Sequence, residues 1–460
     1  MQIRFCGAAR TVTGSCYLLT TEDCQFLVDC GLVQGGNSHD RNRDPFLFDP
    51  KKINALFLTH AHLDHSGLIP RLVKEGFTGR IVTTPATADL LNPMLHDSAR
   101  IQMDDAERAS RKAKRAGREN GEPLYTTEDV EKALPLIDRV AYGQVKDAGN
   151  GIRCRFADAG HILGSGSLEL WLPAIGKERK LVFSGDIGKK GNPIINDPTP
   201  ETRADMIVME STYGDRLHKG AEDTSAELAE AVRTTFDAGG NVVIPAFAIG
   251  RTQDILYLLN RLVREGKLPK LTVYIDSPLA EKATKAYLGH PELYDDEAKR
   301  LIRGGTIGDA ITIKFTHSAE ESMAINKIKS KAVIVAGSGM CEAGRIRHHL
   351  KHNLWRPECS VVIVGFQAQG TLGRKIVDGA KEVVIWGEEI AVKARIWTIG
   401  GFSAHADQKE LLAWLSALQD HPEVFVTHGE EKAALTFAEL VRKQYGFTVQ
   451  VPKLGEIFER

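Results

Sequence analysis

Short runs of aliphatic and β-branched residues alternate along this chain with longer stretches of helical periodicity. The pattern predicts strands over residues 25–29, 55–59, 80–84, 180–184, 206–209, 241–244, 271–275, 332–335, 360–364 and 424–427. Many of these runs are apolar throughout, as strands covered on both faces are. Helices are predicted over 97–117, 126–134, 224–238, 251–265, 345–349 and 408–417. The helix over 224–238 repeats its apolar residues at helical spacing and stops at Gly239-Gly240. No fixed-period repeat and no low-complexity segment interrupts the alternation. The order of elements predicts stacked α/β layers.

At 460 residues the chain is long enough for two or three domains of roughly 100–200 residues each. Lys and Arg number 59 and Asp and Glu 60, a formal net charge of −1. A globally basic nucleic-acid coat is thereby excluded, and any polyanion must be held by local charge. Charged residues at 26% and hydrophobic ones at 42% exclude a disordered chain and a fibrous one. No apolar run approaches the roughly 18 residues of a membrane helix, and residues 1–16 contain no signal-peptide core. The seven cysteines are scattered and never form C-x-x-C. That suits a reducing cytoplasm and argues against a thiolate metal site. Local charge stands out at 108–118, where Arg108, Arg111, Lys112, Lys114, Arg115 and Arg118 occur without an acid. Two readings apply: a solvated helix face, balanced by acids just upstream, or a lid over a phosphate-bearing substrate.

The strongest chemical signal is His60-Ala-His62-Leu-Asp64-His65, placed between an apolar run and a helix start. In extended chain His60 and His62 point the same way. The turn that follows offers Asp64 and His65 in another direction, so four ligand-type side chains can serve two neighbouring metals. Further candidates end other strand-like runs: His161 after 152–156, Asp186 after 181–185, and His428 after 424–427. Carboxyl ends of strands are where α/β proteins build sites. His and Asp without Cys suit zinc, with manganese or iron as alternatives. A shared carboxylate such as Asp186 would hold two ions about 3.5–4 Å apart, a pair suited to phosphoester hydrolysis. The other nine histidines (His39, His96, His218, His290, His317, His348, His349, His352 and His421) lack such surroundings. His348, His349 and His352 are expected on a solvent-facing helix.

H-x-H-x-D-H with a later His, a later Asp and a final His resembles the metallo-β-lactamase superfamily. Asp29, in Leu27-Val-Asp29-Cys-Gly, looks like that superfamily's early Asp, which orients the site through hydrogen bonds. The long interval from Asp186 to His428 must hold a whole domain. Within it, Glu210 in Met-Glu210-Ser-Thr-Tyr-Gly and His405 in Gly401-Phe-Ser-Ala-His405-Ala-Asp407 resemble two signature motifs of the β-CASP nucleases. His428 resembles the third. A His there is the pattern of the RNA-processing members, similar to the endonuclease subunit of the cleavage and polyadenylation specificity factor.

The resemblance implies an α/β fold: a metallo-β-lactamase αββα sandwich over residues 1–207 and 395–460, with an inserted α/β β-CASP domain over 208–394. It implies two zinc ions, one on His60, His62 and His161, the other on Asp64, His65 and His428, bridged by Asp186. The catalytic set would be Asp64, Asp186, Glu210 and His405. Glu210 and His405 would form a hydrogen-bonded pair, and His405 would protonate the departing 3′ oxygen. A two-metal-activated hydroxide would attack phosphorus, leaving a 5′-phosphate and a 3′-hydroxyl.

Three strand-to-helix loops in the insertion pair glycine with arginine. They hold Arg251; Ser338, Gly339 and Arg345; and Gln367, Gly370 and Arg374. Backbone N–H groups with an Arg beside them suit phosphate, so these residues are expected to contact the RNA backbone. With aromatics at 7%, no run of base-stacking platforms is evident. The expected protein is a cytoplasmic, metal-dependent ribonuclease acting on single-stranded RNA, with no membrane partner and compatible with a homodimer. The chain as given carries neither a KH-like N-terminal extension nor a long C-terminal domain, which favours an endonuclease over a 5′-exonuclease of the RNase J type. A small-ester metallohydrolase and a catalytically dead RNA-binding module are the other readings. The first would need a pocket rather than arginine-bearing loops, and the second would need lost ligands.

Overall fold

The computed structural model describes all residues except 36–40, 116, 118–121, 174–177, 219–220, 303–306, 366 and 368. His39, Arg118 and Phe366 therefore lie outside the described residues. The chain forms two compact units: residues 1–190, 197–217 and 405–460 make the first, and 191–196 and 218–404 the second. The expected boundaries were 207/208 and 394/395. Met206–Met209 pairs with Arg179–Phe183 and Glu423–Val426 in the first unit, and Arg395–Thr398 pairs with Ser360–Ile363 in the second.

The first unit stacks two seven-stranded sheets. One runs Ile457–Glu459, Gln2–Phe5, Tyr17–Thr20, Gln25–Val28, Ile53–Phe57, Arg80–Thr83, Ile137–Arg139. The other runs Thr448–Gln450, Glu423–Val426, Met206–Met209, Arg179–Phe183, Gly166–Leu172, Ile152–Asp158, Lys146–Gly149. Each sheet is antiparallel at one side and parallel at the other. Alternation along the strands decides which residues meet between them. In Ile152–Asp158, Ile152, Cys154 and Phe156 are buried while Arg153 and Arg155 point away. Phe5 against Phe425 at 5.2 Å and Tyr17 against Phe183 at 5.8 Å close the layer, and each such buried side chain contributes roughly 1.5–3 kcal/mol. Helices cover both outer faces. Leu72, Leu91 and Leu95 pack on the first sheet, and Leu411, Trp414, Phe437 and Val441 on the second. This is the expected αββα sandwich.

Within the second unit lies a six-stranded, wholly parallel sheet in the order Thr312–Phe315, Thr272–Asp276, Ala332–Ala336, Val242–Pro245, Ser360–Ile363, Arg395–Thr398. Its central strands are buried end to end, as a sheet covered on both faces requires. A separate two-stranded hairpin joins Glu382–Ile385 to Glu388–Ala391. Among the described residues no helix is long and apolar enough to cross a membrane.

Two expectations change. The basic segment is the end of one long helix, Pro85–Arg115, which starts well before residue 97. The sequence hides its first half because Pro93 reads as a breaker. Its described basic residues are solvent-exposed, with Arg108 and Arg111 facing Asp105 and Glu107 at 3.8 and 3.7 Å. The helix Ile346–Asn353 does not present all three histidines to solvent. His349 is fully buried, because Ile346, His349, Leu350 and Asn353 form its inner face.

Candidate metal centre

Every candidate ligand follows a strand of the first unit. Asp29 follows Gln25–Val28, and His60 and His62 follow Ile53–Phe57. Asp64 and His65 lie on the short helix Leu63–Ser66, and His161 follows Ile152–Asp158. Asp186, Glu210 and His428 follow Arg179–Phe183, Met206–Met209 and Glu423–Val426, three strands that run parallel side by side. Parallel pairing delivers those three side chains to one sheet edge. Loops there approach within backbone contact. A Cβ on Gly31 would stand 1.7 Å from the Asp64 carbonyl oxygen, and one on Gly188 equally close to that of Gly160. Asp29 and His428 take φ of 57° and 45°, a left-handed conformation rare for residues with side chains. Such strain concentrates at functional sites.

The structure brings the seven predicted ligands together as two groups. His60, His62, His161 and Asp186 offer donor atoms all within 4.8 Å of one another, and so do Asp64, His65 and His428. Asp186 faces both. Its Oδ2 lies 3.5 Å from His60 Nε2 and 3.6 Å from His161 Nε2, while its Oδ1 lies 3.2 Å from His65 Nε2 and 3.5 Å from His428 Nδ1. Asp186 and four of the other six ligands, His60, His65, His161 and His428, are buried; His62 and Asp64 are half-buried. His60 Nε2 and Asp186 Oδ1 are buried yet make no hydrogen bond. Buried polar atoms are costly without a partner, and a cation between the groups would supply one. The donor set, imidazole and carboxylate without thiolate, fits zinc.

Electrostatics prepare the same state at His60, His62, Asp64 and Asp186. Burial pushes His60 well down and His62 down to about 4, keeping these rings neutral and able to ligate. Burial would raise Asp186, but His428, His65 and His405 around it hold it well below the usual carboxylate range. Asp64 is likewise held down against burial, chiefly by His428. For His65 burial works against charge and is outweighed by Asp186 and Asp29, so its pKa is raised.

Asp29 Oδ2 lies 2.7 Å from His65 Nδ1. Two threonines that no sequence motif marks complete this layer. The Thr59 hydroxyl donates to Asp29 at 3.0 Å and lies 3.1 Å from His60 Nδ1. The Thr212 hydroxyl lies 3.1 Å from His428 Nδ1. Their only signal is position, one residue before His60 and two after Glu210.

His405 and Glu210 meet beside the ligands. His405 Nδ1 is 3.2 Å from Glu210 Oε1 and 3.9 Å from Asp186 Oδ2. Glu210 is itself fixed by the backbone N–H groups of Ile187 at 2.6 Å and Thr212 at 3.3 Å. Burial disfavours charge on His405, but Glu210 and Asp186 outweigh it and push its pKa up to about 9.

The loop residues of the second unit form a separate assembly at the carboxyl ends of Val242–Pro245, Ala332–Ala336 and Ser360–Ile363. Gln367 Nε2 donates to the Gly339 carbonyl at 2.9 Å, and the Phe247 ring lies over Gly339, where a Cβ would meet it at 2.9 Å. The Ser338 hydroxyl accepts from Ala343 N at 3.2 Å, and Gly370 takes φ of 85°. The three arginines are each engaged within the unit: Arg251 with Asp254 at 3.0 Å, Arg345 with Asp276 at 2.7 Å, and Arg374 with Asp378 at 2.8 Å.

Comparison with known proteins supplies the family. The metallo-beta-lactamase superfamily model matches residues 9–246, the Beta-Casp domain model 252–376, and the model of a Zn-dependent metallo-hydrolase RNA specificity domain 389–452. Ribonuclease TTHA0252 of Thermus thermophilus is 38% identical over 98% of this chain and 98% of its own length. An RNase J-like protein of Methanocaldococcus jannaschii is 32% identical over 99% of both chains. The transcription termination factor FttA of Methanosarcina mazei is 33% identical over 95% of this chain and 68% of its own. A solved structure, a protein of unknown function from Enterococcus faecalis, shares the fold with a TM-score of 0.56 at 14% identity, over 99% of both chains. The chain belongs to the β-CASP ribonucleases of the metallo-β-lactamase superfamily, zinc-dependent hydrolases that act on RNA.

Proposed function

We propose that this ribonuclease cleaves single-stranded RNA internally, and that His60, His62 and His161 would hold one zinc ion and Asp64, His65 and His428 a second, with Asp186 offering an oxygen to each group. The observation that carries the reading is Asp186 itself, one oxygen turned to each ligand group. Bound zinc supplies Lewis-acid chemistry, lowering the pKa of water and stabilising charge on phosphoryl oxygens. The chain's own residues do the rest. Asp29 and Thr59 hold His65 and His60, and Thr212 holds His428, so the ligands keep their orientation. Glu210 accepts from Ile187 and Thr212 and is thereby fixed as an acceptor for His405 Nδ1. As the oxygen of water bonds to phosphorus, the P–O3′ bond breaks and His405 gives its proton to the departing 3′ oxygen; the proton that water loses restores His405. The products are a 5′-phosphate and a 3′-hydroxyl.

Internal cleavage is supported by the row of phosphate-type loops. They follow three neighbouring strands, and strands sit about 4.8 Å apart, so Arg251, Arg345 and Arg374 mark a track for a continuous backbone rather than one terminal-phosphate pocket. The relatives named as ribonucleases agree with an RNA substrate. The test is one RNA sequence labelled separately at its 5′ and 3′ ends. Internal fragments from both labels, whatever the 5′-terminal group, are expected. Release of nucleotides only from the 5′ end would make it an exonuclease, and intact RNA would remove the nuclease reading altogether.

A further inference from the structure

We propose that Trp386, with Arg347 and His348, forms a base-stacking platform that holds the RNA strand outside the hydrolytic centre. The inference takes RNA as the substrate and adds a binding site distinct from the metal ligands and from the glycine-arginine loops.

Trp386 sits at the tip of the hairpin Glu382–Ile385/Glu388–Ala391. Ile385 pairs with Glu388, so Trp386 and Gly387 are the whole loop. Their φ values are 52° and 84°. Positive φ at both positions is the two-residue hairpin turn for which Asn-Gly is the favoured pair. A bulky aromatic in its first position is strained. Folding of the hairpin gives no reason for it. Val383 and Ile385 anchor the hairpin in the unit's core at 4% and 0% exposure, whereas Trp386 stays 50% exposed and Val384 beside it 59%. A residue that strains its turn and adds nothing to the core is a candidate for function.

Its surroundings state the ligand chemistry. Both neighbours come from the first turns of Ile346–Asn353. The guanidinium of Arg347 lies 4.9 Å from the Trp386 ring centre, and the His348 ring lies 4.2 Å away. Both approach from that helix, which leaves the rest of the indole to solvent. Arg347 donates to the Glu342 carbonyl at 3.4 Å and, among the described residues, has no carboxylate partner. The hairpin's Glu388 is neutralised by Lys351. An open indole face beside an uncompensated guanidinium fits a nucleobase with its phosphate. The helix follows directly on the loop 337–345, so the platform stands at the carboxyl-end edge of the parallel sheet, where such sheets bind ligands.

The test sets binding against folding. Trp386→Asn supplies the residue the turn prefers, so the melting temperature is expected to hold or rise. Binding of a fluorescein-labelled single-stranded oligoadenylate, read by anisotropy, is expected to weaken about 5- to 100-fold. Trp386→Phe should keep most of the affinity. An abasic strand of equal length should bind wild type and Trp386→Asn alike. In cleavage assays KM should rise and kcat stay. Equal oligoadenylate binding by wild type and Trp386→Asn overturns the proposal, and so does a wild-type dimer that Trp386→Asn dissociates without change in RNA affinity. A protein that binds RNA through Trp386 but never cleaves it would leave the platform standing and remove the proposed nuclease reaction instead.

Discussion

Asp186 in the first unit and Asp276 in the second are both buried aspartates at the carboxyl ends of strands with histidine around them, and they are finished in opposite ways. Asp276 is saturated. Its Oδ2 accepts from Ser322 at 2.6 Å and meets His349 Nε2 at 2.7 Å, while Oδ1 accepts from Arg345 at 2.7 Å and from Thr316. His349 Nδ1 has Asn326 at 2.9 Å. Asp186 has several rings in range but leaves Oδ1, and the facing His60 Nε2, without a hydrogen bond. Protein groups complete one cluster, whereas the other fits a cation. Clusters of His and Asp are therefore better judged by which buried atoms lack partners than by composition alone.

The sharpest division lies between two histidines beside Asp186. His405→Ala should lower turnover by about 10²–10⁴-fold while zinc stays bound, because the role proposed for His405 is proton transfer. His428→Ala should lose zinc as well as activity. Equal metal loss in both variants would make His405 a ligand.

Next in size is the second cluster. Asp276→Asn should keep the zinc content and destabilise the fold by about 3–5 kcal/mol, since it breaks a buried pair; urea unfolding would measure it. Burial would raise Asp276, but hydrogen bonds from His349, Ser322, Thr316 and Arg345 hold it well below the usual carboxylate range. A depressed pKa contributes stability that is present above the ordinary carboxylate value of about 3.9 and lost as pH falls through the folded value. The gap between wild type and Asp276→Asn should therefore narrow only in acid. A gap unchanged down to the acid unfolding limit would mean that the carboxylate's charge is not what the network uses.

Thr59→Val tests the layer behind the ligands. Its hydroxyl serves both Asp29 and His60, so zinc affinity in competition with a chelator should fall about 10–100-fold. Unchanged affinity would leave Thr59 a strand residue and no more. The smallest effect belongs to the loop arginines. Neutralising Arg251 or Arg374, neither of which serves Asp276, should flatten the salt dependence of RNA binding by about 0.7 in the log–log slope. A slope unchanged in both variants would place the strand elsewhere, for example along the basic end of Pro85–Arg115.

How much of this was legible follows from how local each signal is. His60 to His65 could be read directly because four ligand types fall in six residues at a strand end. Glu210 and His405 carry no local mark and came only through resemblance, since their contact joins residues far apart in the chain. Thr59 and Thr212 read as ordinary β-formers. His349 was legible in principle: Ile346, His349, Leu350 and Asn353 follow the 3.6-residue period, and the surrounding Arg and Lys hid it. The antiparallel strands Tyr17–Thr20 and Gly166–Leu172 are not marked by the hydrophobic pattern. The second buries Glu169 inside an apolar pattern, where Arg155 and Lys180 compensate it.

Elemental analysis of zinc in wild type, Asp186→Asn and Asp276→Asn, each purified without chelator, tests the contrast most directly. The account predicts two ions per chain in wild type, loss from both groups in Asp186→Asn, and two again in Asp276→Asn. A fully active wild type holding one ion, or an Asp186→Asn protein that keeps two, would contradict it.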